Sequence, residues 1–138
     1  RLIIIGDGDP IYKKKILNLF TLNRVKSEFY GHLVGKELSY LLKSSDLMIL
    51  PGNGGLAINH ALFNSLPVIC SFADGTEKDL IVNGYNGYIA KNLNDYRLYL
   101  KKIMTLKNLN KLKLNSKRIY NLKISKNIFV NNWLDFLD

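Results

Sequence analysis

Cysteine is almost missing from this chain of 138 residues: Cys70 is the single thiol. An intrachain disulfide framework and a cysteine-rich zinc site are therefore both excluded. Cys70 lies within an apolar run and reads as a small core hydrophobe. Histidine is scarce too, with only His32 and His60, and no Cys and His cluster has metal-ligand spacing. No G-x-S-x-G turn marks a nucleophilic serine. No apolar run approaches the ~20 residues that a bilayer span requires, and no repeat or low-complexity linker divides the chain. Acid is the other shortage. Eleven Asp and Glu stand against 20 Lys and Arg, and residues 101–126 carry nine basic residues and no acid. Such a surface suits anionic lipid, phosphorylated ligands or nucleic acid, unless the lysines are simply solvated. Nucleic acid is the least supported, because no recognised motif and no aromatics interleaved on a strand pair accompany the charge.

What is present is an ordinary globular mixture, 47% hydrophobic and 22% charged. A chain of this length buries roughly 68% of its unfolded surface, enough for a real core. It opens at Arg1 straight into a strand-like run, and we expect residues 1–138 to be one domain of a longer protein. A cytoplasmic location is expected, with the inner face of a membrane as a place of contact.

Residues 47–71 organise the rest. Leu47-Met48-Ile49-Leu50 is short and wholly apolar, the pattern of a strand buried on both faces. Pro51-Gly52-Asn53-Gly54-Gly55 then interrupts all regular structure. A helix follows from Leu56 and Ala57 through Asn59, His60 and Leu62 to Phe63. Pro67 introduces a second apolar run, Val68-Ile69-Cys70. Strand, glycine turn, helix and strand make a βαβ unit. A glycine turn that feeds a helix at the carboxyl end of a parallel strand is where such sheets take up anions, through exposed N–H groups and the helix dipole. The plainer alternative is a tight turn and nothing more.

Leu2-Ile3-Ile4-Ile5 reads as a fully buried strand, with Asp9 and Pro10 starting a helix whose apolar stripe is Ile11, Ile16, Leu17 and Phe20. A short strand at Glu28-Phe29-Tyr30 ends at Gly31-His32. A helix over residues 36–43 places Leu38, Leu41 and Leu42 on one side. Thr76 is expected to cap a helix over residues 77–82, and Asn83-Gly84 and Asn86-Gly87 are turn pairs able to supply positive φ. Tyr88-Ile89-Ala90 is a last strand. Residues 94–138 form a helical tail, its first helix starting at Asn94 or Asp95 and its last capped by Ser125. Strands and helices alternating in this way mean an α/β fold with a parallel sheet.

Four segments in this order, IIGDGDP, FYGHL, SSDLMILPGNGGLAINHALFNSLPVICS and DGTEKDLIVNGYNGYI, resemble the carboxyl-terminal domain of family 4 (group 1) glycosyltransferases. The similarity covers about residues 2–90. It implies a Rossmann-like parallel sheet flanked by helices, the carboxyl-terminal half of a two-domain GT-B fold. This half would bind a nucleoside-diphosphate sugar, a substrate rather than a cofactor, with no metal. The Gly54-Gly55-Leu56-Ala57 turn would hold the diphosphate through its N–H groups. Gly31 and His32 would lie beside the nucleobase, His32 either stacking on it or standing as an exposed loop histidine. The family's two glutamates, eight positions apart, fall here on Gly52 and His60, so both carboxylates are gone. Gly52 and Asn53 would border the sugar, while His60 would meet a ribose hydroxyl or a buried carbonyl. The first-loop acids Asp7 and Asp9 match the family's turn without a metal. An Arg and a Lys that neutralise the departing diphosphate in the family would precede Arg1, as would the amino-terminal Rossmann-like domain, so the isolated domain is expected to be inactive.

The acceptor implied is a saccharide or a lipid-linked sugar, as in polysaccharide or lipopolysaccharide biosynthesis. Trp133, Phe136 and Leu137 would allow docking at a membrane, with Trp133 expected first at the domain interface or in the core. Two other readings stay open: a non-catalytic nucleotide-sugar-binding module, favoured by Gly52 and His60, and a GT-B sugar-nucleotide epimerase.

Overall fold

The computed structural model describes residues 1–137, and the side chains of all of these except residues 106, 132, 133 and 135–137. The expectations for Trp133, Phe136 and Leu137 fall on side chains outside that description. Strands and helices alternate as β1 (Leu2–Ile5), α1 (Pro10–Leu22), β2 (Ser27–Tyr30), α2 (Gly35–Lys43), β3 (Met48–Leu50), α3 (Leu56–Phe63), β4 (Val68–Ser71), α4 (Thr76–Leu80) and β5 (Gly87–Ala90). The helical tail follows as α5 (Leu93–Ile103), α6 (Leu106–Lys123) and α7 (Lys126–Leu137). All strand pairs are parallel, in a two-stranded β1-β2 sheet and a three-stranded β3-β4-β5 sheet. The chain divides into two compact units, Arg1–Leu38 and Ser39–Asp138.

In the first unit, α1 starts as its sequence directs. Asp9 accepts the Tyr12 N–H at 2.8 Å, and Pro10 occupies the first turn, where its missing N–H costs nothing. The helix closes on Arg24 at φ 54°, with the Val25 N–H returning to the Phe20 carbonyl at 2.8 Å. Two expectations fail here. All four residues of β1 are only half-buried, because β2 is its single neighbour in this sheet. Ile11 is 81% exposed, leaving Ile16, Leu17 and Phe20 as the packed stripe of α1.

In the second unit β4 is the central strand, and Val68, Ile69 and Cys70 are all buried, as a parallel strand between two neighbours should be. The run before it differs from expectation: Leu47 lies outside β3 and Ile49 is 39% exposed, since β3 is bonded along one side only. Ile69 and Ala90 of the sheet pack with Ile103 of α5 and Leu112 of α6. Ile58, Ala61 and Leu62 of α3 are completely buried. Truncating Ile58 or Leu62 to Ala would cost about 2–5 kcal/mol.

Two helix starts are corrected by side-chain bonds that propensity does not reveal. Thr76 is the first residue of α4 rather than its cap. Gly75 holds the cap position at φ 96°, and the Thr76 N–H goes to Asp74 instead. Asn92, not Asn94 or Asp95, caps α5, accepting both their N–H groups while Asp95 accepts that of Lys91 at 2.8 Å. Ser125 stands at the cap position of α7 as expected, its carbonyl accepting the Phe129 N–H at 3.0 Å, while its hydroxyl donates back to the Asn121 carbonyl at 3.1 Å.

Asn86-Gly87 is likewise no positive-φ turn; that conformation falls to Gly84, at φ 77°. Asn86 is fully buried, its amide accepting the Val82 N–H at 2.8 Å and donating to the Leu80 carbonyl at 2.9 Å. Gly87 already belongs to β5, where any Cβ would strike the Val68 carbonyl.

Candidate functional site

The carboxyl ends of β3 and β4 lie side by side, paired through Leu50 and Cys70. A hydroxyl pair ties these ends together. The Tyr96 phenol of α5 reaches the Leu50 carbonyl at 3.1 Å and the Ser71 hydroxyl at 2.9 Å, and Ser71 also lies 3.1 Å from the Pro51 carbonyl. Two hydroxyl protons serve three contacts, so two of them are made at any instant. This anchors the strand ends from which the glycine turn departs.

The turn then enters α3 without a side-chain cap. Gly54 is buried, and a Cβ there would come within 2.7 Å of Ile58 Cδ1, so glycine is required by packing. Gly55 has φ 44° and ψ −136°, a conformation that side chains disfavour. Gly52, Asn53 and Leu56 are exposed, and Gly55 and Ala57 half-buried. Ala57 returns its N–H to the Gly54 carbonyl at 2.9 Å. The amides of Gly54 and Leu56 make no hydrogen bond among the described residues. His60 lies one turn along α3 from Leu56, exposed and with no side-chain hydrogen bond among the described residues. The residues from Gly52 to His60 are thus gathered on one turn and the helix it opens. Gly31 and His32 are exposed in the other compact unit, where a Cβ on Gly31 would sit 3.1 Å from Asp7 Oδ1.

The loop from β4 to α4 brings further residues beside this turn. Glu77 is 1% exposed, and its carboxylate accepts the N–H of Ala73 at 2.9 Å and of Gly75 at 3.0 Å. It therefore shapes the loop from within. That shaping presents Asp74. One of its oxygens accepts the Thr76 N–H at 3.1 Å and the other the Gly55 N–H at 3.0 Å. These N–H bonds, Thr76 first, hold the Asp74 carboxyl below its ordinary pKa.

Beside Asp74 lies a cavity of about 540 Å³, lined among others by Asn59, Thr76, Asp79, Lys123 and Phe129. Lys123 donates its ammonium to the Asp79 carbonyl at this wall. The Asn59 amide oxygen is hidden from solvent with no hydrogen-bond partner among the described residues. Sequence reading had no signal for Asn59 or Tyr96, whose roles depend on contacts distant in sequence. Among the described residues, no group of three His, Cys, Asp or Glu side chains is placed to hold a metal, and no helix is long and apolar enough to cross a membrane.

The family model of the glycosyl transferases group 1 matches residues 1–130, a range that includes the glycine turn. The chain belongs to that family. Comparison with curated proteins gives no match. Among solved structures, this group 1 glycosyltransferase chain is similar to Anabaena HepE in complex with UDP-glucose, at 19% identity and a TM-score of 0.76, over 98% of this chain and 40% of that one. The pneumococcal O-GlcNAc transferase GtfA, in complex with UDP and GlcNAc, gives 18% identity and 0.75, over 97% and 28%. Sucrose-phosphate synthase from Thermosynechococcus elongatus gives 17% and 0.79, over 98% and 37%. The chain thus spans well under half the length of these proteins. The expected fold, a carboxyl-terminal GT-B half of parallel sheets flanked by helices with a helical tail, is the one they share with it.

Proposed function

We propose that residues 1–138 are the nucleotide-sugar-binding domain of a longer two-domain glycosyltransferase. The enzyme moves a sugar from a nucleoside-diphosphate donor to a saccharide or lipid-linked acceptor, with retention of configuration, on the cytoplasmic side of a membrane. The observation that carries this reading is the uncapped start of α3 at Gly55, opening from the end of a parallel strand in a chain of this family. The structures of HepE with UDP-glucose and of GtfA with UDP and GlcNAc make uridine diphosphate the first donor base to try.

In this reading the amides of Gly54, Gly55 and Leu56 face the diphosphate, Ala57 closes the turn on the Gly54 carbonyl, and the α3 dipole favours the ligand's charge. His60 meets the ribose, and Gly52 and Asn53 border the sugar. The anomeric carbon exchanges its bond to the phosphate oxygen for one to the acceptor oxygen. The acceptor proton passes to the departing diphosphate, so no metal or cofactor is needed. An Arg and a Lys from the segment preceding Arg1 neutralise the leaving group, which leaves the isolated domain able to bind but not to turn over.

Calorimetric titration of this chain with UDP, GDP and ADP, and with their glucose conjugates, tests the reading. Binding of at least one diphosphate, tighter than its nucleoside, is expected. A folded protein indifferent to all of them would overturn it. The loss of both family glutamates at Gly52 and His60 favours a second reading, a binding module without turnover. Sugar transfer by the full-length enzyme would exclude that.

A further inference from the structure

A carboxylate already occupies the amide that the diphosphate would use. Asp74 Oδ2 accepts the Gly55 N–H at 3.0 Å across 19 residues of sequence. The loop that delivers it is not free to drift, since buried Glu77 holds the N–H groups of Ala73 and Gly75 on either side of Asp74. Asp74 itself is exposed, so its side chain can rotate out into solvent without opening any core. Thr76 supplies a second N–H at 3.1 Å that Asp74 can keep when the first is given up. No Lys or Arg ion pair is made by Asp74 among the described residues. The leading partners of this carboxylate are the peptide N–H groups of Thr76 and Gly55, the same kind of donor that a phosphate oxygen would take, with the Thr76 side chain adding to them.

We propose that Asp74 is an internal anion that closes the Gly55 amide in the empty domain, and that a donor diphosphate binds by displacing it. Asp74 is then a residue that sets donor affinity without touching the donor sugar. Its charge also repels any diphosphate that arrives before the side chain has swung away. The inference rests on the donor-binding reading of the glycine turn. It adds that the affinity of this site is held down by the chain's own carboxylate.

The test measures UDP, inorganic pyrophosphate and uridine affinities of this chain and of Asp74→Ala, Asp74→Asn and Asp79→Asn, with thermal melts to establish folding. Asp79 lines the same cavity but has no bond to Gly55. Removing the competing carboxylate should tighten UDP and pyrophosphate about tenfold in Asp74→Ala. Asp74→Asn, which still offers an amide oxygen, should tighten them less. Uridine should bind alike in all four proteins. In nitrogen-15 spectra of the wild-type protein, the Gly55 amide should shift on adding UDP.

If the wild-type chain binds UDP and Asp74→Ala binds it equally or more weakly, the displacement idea fails and the donor-site reading survives. Equal tightening by Asp79→Asn would reduce the effect to general charge and also overturn it. If neither the wild-type chain nor Asp74→Ala binds any diphosphate, the donor-site reading falls and takes this inference with it. Because Asp74→Asn keeps an acceptor for the Thr76 N–H, it supplies the comparison should Asp74→Ala melt early.

Discussion

Tyr96 donates its phenolic proton to the carbonyl of Leu50, 46 residues earlier, at 3.1 Å, and so fixes the last residue of β3 from a helix of the tail. Ser71, at the end of β4, sits 2.9 Å from the same phenol. Tyr96→Phe keeps the ring in the apolar cluster and removes only these polar contacts. It should lower stability by about 1 kcal/mol in chemical denaturation. It should also speed amide exchange in the glycine turn, because that turn hangs from Leu50 and Pro51. An unchanged exchange pattern would show that the turn is held by other contacts.

Ser65 takes φ 63° where α3 ends, with the Leu66 N–H returning to the Ala61 carbonyl at 2.9 Å. Only glycine reaches this conformation without strain from Cβ. Ser65→Gly should therefore stabilise the protein by about 0.5–1 kcal/mol, the relief of left-handed strain less the added freedom of the unfolded glycine. A lower melting temperature would contradict this account of the cap.

Gly87→Ala should act in the opposite direction. The added Cβ meets the Val68 carbonyl of the neighbouring strand, a backbone atom that cannot rotate aside. Separation of β4 from β5 at this point should cost about 3 kcal/mol or more, at the high end for overpacking. Expression with weak cooperativity, read from a broadened thermal transition, is the expected outcome; a wild-type transition would refute the clash.

The parallel strands were legible in the sequence for a simple reason. A strand covered on both faces must be apolar at every position, and Val68-Ile69-Cys70 is both apolar and buried. The glycine turn was legible too, since five residues from Pro51 to Gly55 hold three glycines and a proline. Burial was overestimated at Ile49 and throughout β1, because an apolar run does not say how many neighbouring strands a sheet supplies. What stayed hidden depends on partners far along the chain. Asp74 was visible as an acid in a loop, but nothing local announces that it reaches Gly55. Gly87 looked like a turn because Asn-Gly pairs make turns, yet here the asparagine is a buried bracket and the glycine a point of close strand approach. Family resemblance drew attention to the glycine turn; the carboxylate sitting on its amide came only from the structure.

Cys70 should be chemically silent in the native protein. Burial, with Glu77 and Asp74 adding to it, pushes the thiol from 9.0 up to about 11. At pH 8 a thiol reagent should label the denatured chain at once and the native chain only as fast as it opens. The linkage has a definite sign. The folded state holds this proton more tightly than the unfolded one, so the contribution is fully present below about pH 9 and is lost as pH rises toward 11. Cys70→Ser should flatten the fall in stability across that window. Rapid labelling of native protein at pH 8 would show the strand to be open.

His60 separates ligand contact from structural support more cleanly than any other position. Its side chain is exposed and makes no hydrogen bond among the described residues, so its removal leaves no buried group without a partner. It stands inside α3, where alanine is the better helix former. His60→Ala should then melt at the wild-type temperature or slightly above, by up to about 0.5 kcal/mol. If the imidazole meets a ribose hydroxyl, the same variant should bind nucleoside diphosphate about five- to tenfold more weakly, the worth of one neutral hydrogen bond. Because the lost contact is to the sugar of the nucleoside, inorganic pyrophosphate should bind both proteins alike, and uridine should weaken in parallel with UDP. A variant that loses UDP and pyrophosphate equally would place His60 at the phosphates instead. One that loses neither would remove it from the site and leave the α3 amides to carry recognition alone.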